Sequence, residues 1–237
     1  MKRWCLIVLV CLSGTGMVQA GVAYRDSCYS IGLTGAYAYN ETYDHHGSFA
    51  LSAFMPVYKY FEGNMHIRFQ TANVYDISVR LRPKFLLSVG ELYFETQVLY
   101  NLIRRNDLHG LCGALSLGYR MDYVQVHIGY GTRSFWPLDI SSHTSETSVH
   151  EPHNLIYYLE VFVRPCTSMW NLSVCVTDIT EYQMERMYTP IFMVNSYMNI
   201  GSHWRITARG LCKPVGLSNY TPSFYGAEIA IGGHYRF

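Results

Sequence analysis

Apolar and polar residues alternate along most of the chain with a period of two, and the C-terminal stretch shows this best. Tyr225, Ala227, Ile229, Ile231, Gly233, Tyr235 and Phe237 fall on one side of an extended backbone. Gly226, Glu228, Ala230, Gly232, His234 and Arg236 fall on the other. Successive side chains of a strand point to opposite faces, so the pattern predicts one strand with an apolar face and a polar face. Its length suits one tilted crossing of a bilayer, for which a β-strand needs roughly 9–11 residues.

The same alternation predicts the strands before it. The first, 29–40, sets Tyr29, Ile31, Leu33, Tyr37 and Tyr39 against Ser30, Gly32, Thr34, Ala36 and Asn40. A polar connection over 40–47 leads to a second strand at 48–58, and Glu62-Gly63-Asn64 reads as a tight turn. The third strand opposes Met65, Ile67 and Phe69 to His66, Arg68 and Gln70. The fourth, 76–88, opposes Ile77, Val79, Leu81, Phe85 and Leu87 to Ser78, Arg80, Arg82 and Lys84. The fifth, 91–102, carries Leu92, Phe94, Val98 and Tyr100 outside and Glu91, Tyr93, Glu95 and Gln97 inside. The sixth, 108–120, turns at Met121-Asp122 into a seventh, where Val124, Val126, Ile128 and Tyr130 oppose Gln125, His127, Gly129 and Arg133. A long loop rich in Ser, Thr and His is expected over 136–154. Strands at 155–164, 170–178, 186–199 and 203–213 precede the last.

The connections alternate in length. With both termini on one side, that side receives Glu62-Gly63-Asn64, Val89-Gly90, Met121-Asp122, Pro165-Cys166 and Ile200-Gly201-Ser202, all tight. The other side receives 40–47, 104–107, 136–154, 178–185 and 213–222, mostly long. Short turns at one mouth and longer loops at the other are the outer-membrane pattern. The expected fold class is all-β: a closed antiparallel transmembrane β-barrel of about 12 strands, an even number. Three features leave ten or fourteen strands open. The connection near Val74-Tyr75-Asp76 is short for an outer loop. Pro83 removes a ladder hydrogen bond from the fourth strand. Residues 91–105 also fit an amphipathic helix with Leu92, Leu99 and Ile103 on one side.

Composition supports the barrel. Charged residues make up 15% of the chain, against roughly 25% in ordinary soluble domains. No segment beyond the first twenty residues is apolar for long enough to form a membrane helix. A soluble periplasmic β-sandwich is the competing class. The formal net charge of +1 gives no case for nucleic-acid binding. Lys2 and Arg3 precede a short apolar run, and Val18-Gln19-Ala20 offers cleavage positions. Residues 1–20 therefore read as a secretory signal peptide, with 21–237 as the barrel domain. The cysteines beyond it, Cys28, Cys112, Cys166, Cys175 and Cys212, are odd in number and match no zinc or redox spacing. They read as small apolar strand residues.

The final strand, ending on Phe237, resembles the C-terminal strand of bacterial outer-membrane β-barrel proteins, in which a final Phe serves as an assembly signal. The resemblance implies residence in the outer membrane, contact with its lipid and lipopolysaccharide, and insertion by the barrel-assembly machinery. It points to no narrower family.

Alternation also predicts what lies inside. Arg68, Arg80, Arg82, Lys84, Arg120, Arg205, Arg209 and Arg236 face inward with Glu91, Glu95, Glu160 and Glu228. The lumen-lining candidates are Arg68, Arg80, Arg82, Lys84, Glu91, Glu95, Arg205, Arg209, Glu228 and Arg236. A two-residue turn at Val89-Gly90 would set Glu95 opposite Lys84 and Gln97 opposite Arg82, where charges on neighbouring strands satisfy one another. The expected function is a structural or narrow-channel protein with a charged, largely filled lumen, whose basic excess favours anions. The alternative is an outer-membrane lipid-modifying hydrolase of the phospholipase or lipid A deacylase type. Its nearest candidates, His45-His46-Gly47-Ser48 and Leu217-Ser218-Asn219, lack the His-x-Ser-Asn arrangement of such enzymes, so no catalytic residue is assigned. His143, His150, Glu151 and His153 match no metal motif, and no metal or cofactor is expected.

Overall fold

The computed structural model describes residues 29–40, 44–58, 60–104, 108–137, 149–166, 168–182, 184, 190–213 and 226–237. The predicted signal peptide, residues 1–20, lies outside them. The chain forms β1 (Ser30–Asn40), β2 (Asp44–Tyr58), β3 (Phe61–Gln70), β4 (Val74–Leu87), β5 (Gly90–Ile103) and β6 (Leu108–Arg120). β7 (Val124–Pro137), β8 (Val149–Phe162), β9 (Trp170–Thr177), β10 (Ile191–Ile200), β11 (Trp204–Cys212) and β12 (Ala227–Arg236) follow. Each strand pairs antiparallel with its sequence neighbours, and β1 pairs with β12 from Ser30↔Arg236 to Tyr39↔Ala227, which closes a twelve-stranded barrel. Closure leaves no strand edge, so neither a sandwich nor a count of ten or fourteen describes it.

Burial is inverted relative to a soluble protein. Leu33, Tyr37, Ile128, Tyr130, Ile229 and Ile231 are more than half exposed on the outside, while Glu160, Asn195, Arg205 and His234 are wholly buried inside. A soluble monomer rarely exposes a contiguous apolar patch beyond a few hundred Å². An apolar jacket on every strand instead suits a hydrocarbon surround, where a closed barrel satisfies its backbone hydrogen bonds internally. Aromatic contacts gather towards both rims. Phe49 stacks on Phe69 at 5.0 Å near one end, and Tyr235 meets Trp204 and Phe237, each at 5.1 Å, near the other.

Several boundaries differ from the periodicity. β2 begins at Asp44, so His45 and His46 pair with Tyr39 and Ala38 inside a ladder rather than in a loop. The His45 ring lies 4.9 Å from Tyr39 and its Nδ1 lies 2.9 Å from the Tyr37 hydroxyl, which extends the hairpin. Glu62, Gly63 and Asn64 lie within β3, not in a turn. The turn at 71–73 is as short as the sequence suggests, because Asn73 takes the left-handed conformation at φ 59°. β7 reaches Pro137 and β8 starts at Val149, so His150, Glu151 and His153 belong to a strand. His143 lies outside the described residues. Residues 90–103 form β5, which disposes of the helical alternative.

The β4–β5 register also differs. The turn is Ser88-Val89, and Gly90 at φ 150° follows it in a conformation that L side chains rarely adopt. Leu87↔Gly90 sets Arg80 opposite Gln97 and Lys84 opposite Tyr93, a shift from the expected pairs of Lys84 with Glu95 and Arg82 with Gln97. Pro83 stays in the strand: the β4–β5 ladder is interrupted over Arg82-Pro83 and resumes in the same register at Lys84.

Candidate pore interior

Two groups of charged residues occupy the cylinder. The first lies towards the short turns, on β3 to β6. Glu62 meets Lys84, which donates to its Oε1, and lies 3.7 Å from Arg82 Nη1 and 3.5 Å from Arg120 Nη2. Arg120 also pairs with Glu91. Arg82 donates from Nε to Glu95 Oε2 at 2.9 Å, and Arg80 Nε lies 3.3 Å from Glu95 Oε1. The Arg82 guanidinium sits 4.4 Å from the centre of the Tyr93 ring, a favourable place for a cation. On the facing wall, Arg205 donates to Asn199 Oδ1 at 2.6 Å and stands 4.6 Å over the Tyr197 ring.

The second group lies towards the long connections. Arg68 donates from Nε and Nη2 to Asp76 Oδ2 at 2.7 and 2.5 Å, and from Nη1 to Glu228 Oε2 at 3.3 Å. Arg209 donates from Nη2 to the other Glu228 oxygen at 2.5 Å. Buried ions of one sign are costly, and this chain of alternating charges spans β4, β3, β12 and β11 so that each has an opposite neighbour.

Into this second group comes a piece of the chain that is not barrel wall. The connection after β9, expected as an outer loop at 178–185, folds inward over its described residues, 178–182 and 184. Ile179, Thr180, Glu181, Tyr182 and Met184 are all buried, and Ile179 and Met184 form a small antiparallel bridge. The wall binds this segment by its backbone. Gln97 donates to the Thr180 carbonyl at 2.7 Å, Asn101 to the Tyr182 carbonyl at 3.0 Å, and Arg133 to the Met184 carbonyl at 2.6 Å. Its side chains are held as well. Arg209 Nη1 donates to Glu181 Oε1, the Tyr182 ring lies 3.6 Å from the Arg68 guanidinium, and His66 meets the same ring edge-on at 5.7 Å.

The inserted segment explains apolar residues that break the polar inner face. Leu99, Cys112, Ala114 and Ile156 pack with Ile179 and Met184. Ile103, Phe135, Met193 and Leu211 belong to the cluster that contains Tyr182. Gly131 leaves room for this packing, since a Cβ there would stand 2.4 Å from Met184 Sδ.

No protein-family model matches the chain, and no curated protein matches it in sequence. Solved structures do match in shape. The NanC porin superposes with a TM-score of 0.58 at 9% identity, covering 87% of this chain and 100% of that one. The KdgM porin in complex with disordered oligogalacturonate gives 0.54 at 9% identity, covering 88% and 99%. The translocator domain of the autotransporter NalP from Neisseria meningitidis gives 0.50 at 12% identity, covering 100% and 95%. The fold is that of outer-membrane β-barrels. At these identities the likeness speaks for the porin-like fold alone.

Within this porin-like cylinder, Arg68, Arg82, Lys84, Glu91, Glu95, Arg205, Arg209, Glu228 and Arg236 are buried, and Arg80 is nearly so. The structure brings Arg80, Arg82, Lys84, Glu91 and Glu95 into one group and Arg68, Arg209 and Glu228 into another. Arg205 donates to Asn199, and Arg236 to the Gly201 carbonyl at 3.5 Å. Sequence reasoning missed Glu62, placed in a turn, Asp76, placed at a connection, and Glu181 and Tyr182, placed in an outer connection. The usable signal was the run of apolar residues on inward positions of β5, β6, β8, β10 and β11. His46 lies on the inner face of β2, as Ser48 does by alternation. Ser218 and Asn219 fall outside the described residues. His150 points outward and shares a 2.6 Å hydrogen bond with Ser134.

Proposed function

We propose that the chain is an integral outer-membrane β-barrel acting as a narrow channel with a charged, largely filled lumen, constricted by its own residues 178–182 and 184. The observation that carries this reading is the inserted segment held against an interior of buried arginines and carboxylates. Side chains reaching inward from twelve strands leave little free space, so passage is for small solutes. The KdgM porin was solved with oligogalacturonate, an acidic oligosaccharide. Among the described residues, buried Arg and Lys side chains outnumber buried Asp and Glu. Together these support anionic solutes as the permeant class for this chain.

The short-turn end, which carries both ends of the barrel, faces the periplasm, and the long connections face outward. Residues 1–20 direct export, Phe237 engages the barrel-assembly machinery, and the outer face meets lipid and lipopolysaccharide. Planar-bilayer recording of the refolded protein tests the function. Small conductance steps with anion-selective reversal potentials are expected, and larger steps after residues 179–184 are replaced by Gly and Ser. Silence in both proteins would refute the channel. Fatty-acid release from the bilayer lipid, lost in His46→Ala or Ser48→Ala, would replace it by lipid hydrolysis.

A further inference from the structure

The site where the inserted segment places the Glu181 carboxylate is chemically specific. Glu181 is 3% exposed and reaches Arg209 on β11. Beside this contact is a cavity of about 20 Å³ lined by Thr34, His66, Thr207, Arg209 and the segment itself. Three side chains here have unmet polar atoms. Arg209 Nε and Glu181 Oε2 have no hydrogen-bond partner, and neither ring nitrogen of His66 has one, although His66 is 3% exposed. Buried polar atoms of this kind ordinarily find a partner, and about 20 Å³ is room for one small polar group among them. Arg209 donates from Nη1 to Glu181 and from Nη2 to Glu228, so loss of the Glu181 contact alone leaves the arginine a partner on the wall.

We infer that the patch formed by Arg209 and His66 binds the carboxylate of an anionic solute, and that Glu181 occupies it as a tethered substitute for that solute. The idea rests on the channel reading in one respect: the solute must reach the patch through the cylinder. The segment is anchored through its backbone carbonyls by Gln97, Asn101 and Arg133, while Glu181 supplies the carboxylate that Arg209 receives from it. A solute carboxylate therefore competes for one contact of the closed form rather than for all of them. Tethering gives Glu181 a local concentration of millimolar order or above, which weakens the apparent affinity of any free competitor.

Calorimetric titration of the refolded protein in detergent with glutarate, a dicarboxylate that reproduces the Glu side-chain acid, tests this directly. The variant Glu181→Gln should bind glutarate about tenfold or more tightly than the wild type. Adding Arg209→Gln should abolish that binding, and the neutral glutaramide should bind neither protein. Glu181→Ala serves as a second variant, because Arg209 retains Glu228 in both. Equal glutarate affinity in wild type and Glu181→Gln, no saturable binding to the variant, or indifference to Arg209→Gln would overturn the assignment. The channel reading fails separately: if no variant conducts while the affinity difference persists, the carboxylate site stands and the transport role falls.

Discussion

Replacing Glu62 by Gln is the sharpest test of how the interior is held. Its carboxylate is 1% exposed and faces three cations: Lys84, Arg82 at 3.7 Å and Arg120 at 3.5 Å. Arg82 retains Glu95 and Arg120 retains Glu91, so the cation left most exposed to loss is Lys84. Removing one partner of a buried ion pair costs about 3–5 kcal/mol, because the other charge stays buried and uncompensated. The Gln amide oxygen still accepts a hydrogen bond from Lys84, which returns roughly 0.5–1.5 kcal/mol. The expected loss is therefore about 2–4 kcal/mol. Urea-induced unfolding of the barrel in lipid vesicles, followed by tryptophan fluorescence, measures it. The cycle with Lys84→Met isolates the pair: with Lys84 gone, Glu62→Gln should cost less by about 0.5–3 kcal/mol. A loss below about 1 kcal/mol in the single variant, or strict additivity in the cycle, would refute the assignment of Glu62 as the charge that holds this group together.

Two further substitutions probe the two faces of the wall. Ile231→Arg, at a 64% exposed position midway along β12, should destabilise the barrel in a bilayer by about 2–4 kcal/mol, whereas Ile31→Arg at the strand end should cost about 0–1 kcal/mol; equal costs in vesicle unfolding would contradict a lipid-facing exterior. Gly131→Val puts a side chain against Met184 Sδ and should cost about 1–3 kcal/mol while displacing the segment and enlarging the conductance steps. Gly113→Val, whose nearest neighbour would be Thr132 Oγ1 at 3.9 Å, should change neither; a parallel effect at both glycines would sink the packing argument.

Much of the wall is legible in the alternation of the sequence. The final strand, with Glu228, His234 and Arg236 inside and Ile229 and Ile231 outside, is arranged as that pattern predicts. Where boundaries differ, a side-chain contact outweighs local turn chemistry. Glu62-Gly63-Asn64 reads as a turn by composition, yet Glu62 is drawn into β3 by its cations. His45 and His46 read as solvated loop residues, yet the Tyr37 and Tyr39 contacts of His45 carry the hairpin past them. The inserted segment is the least legible part. Its backbone lacks the periodicity of a strand, and its partners Gln97, Asn101, Arg133 and Arg209 lie far away in the chain.

The sequence by itself determined which side of each strand a residue occupies, because side-chain direction in a strand is a local property of the backbone. It therefore set the closed, apolar-jacketed barrel and the inward direction of its charges. Only the tertiary structure decided which charges meet. A shift of two residues in the β4–β5 register keeps every face but moves Glu95 from Lys84 to Arg82 and gives Lys84 to Glu62. It also decided that residues 178–182 and 184 lie within the cylinder, an outcome set by distant partners on β5, β7 and β11 and by apolar positions that no single strand accounts for.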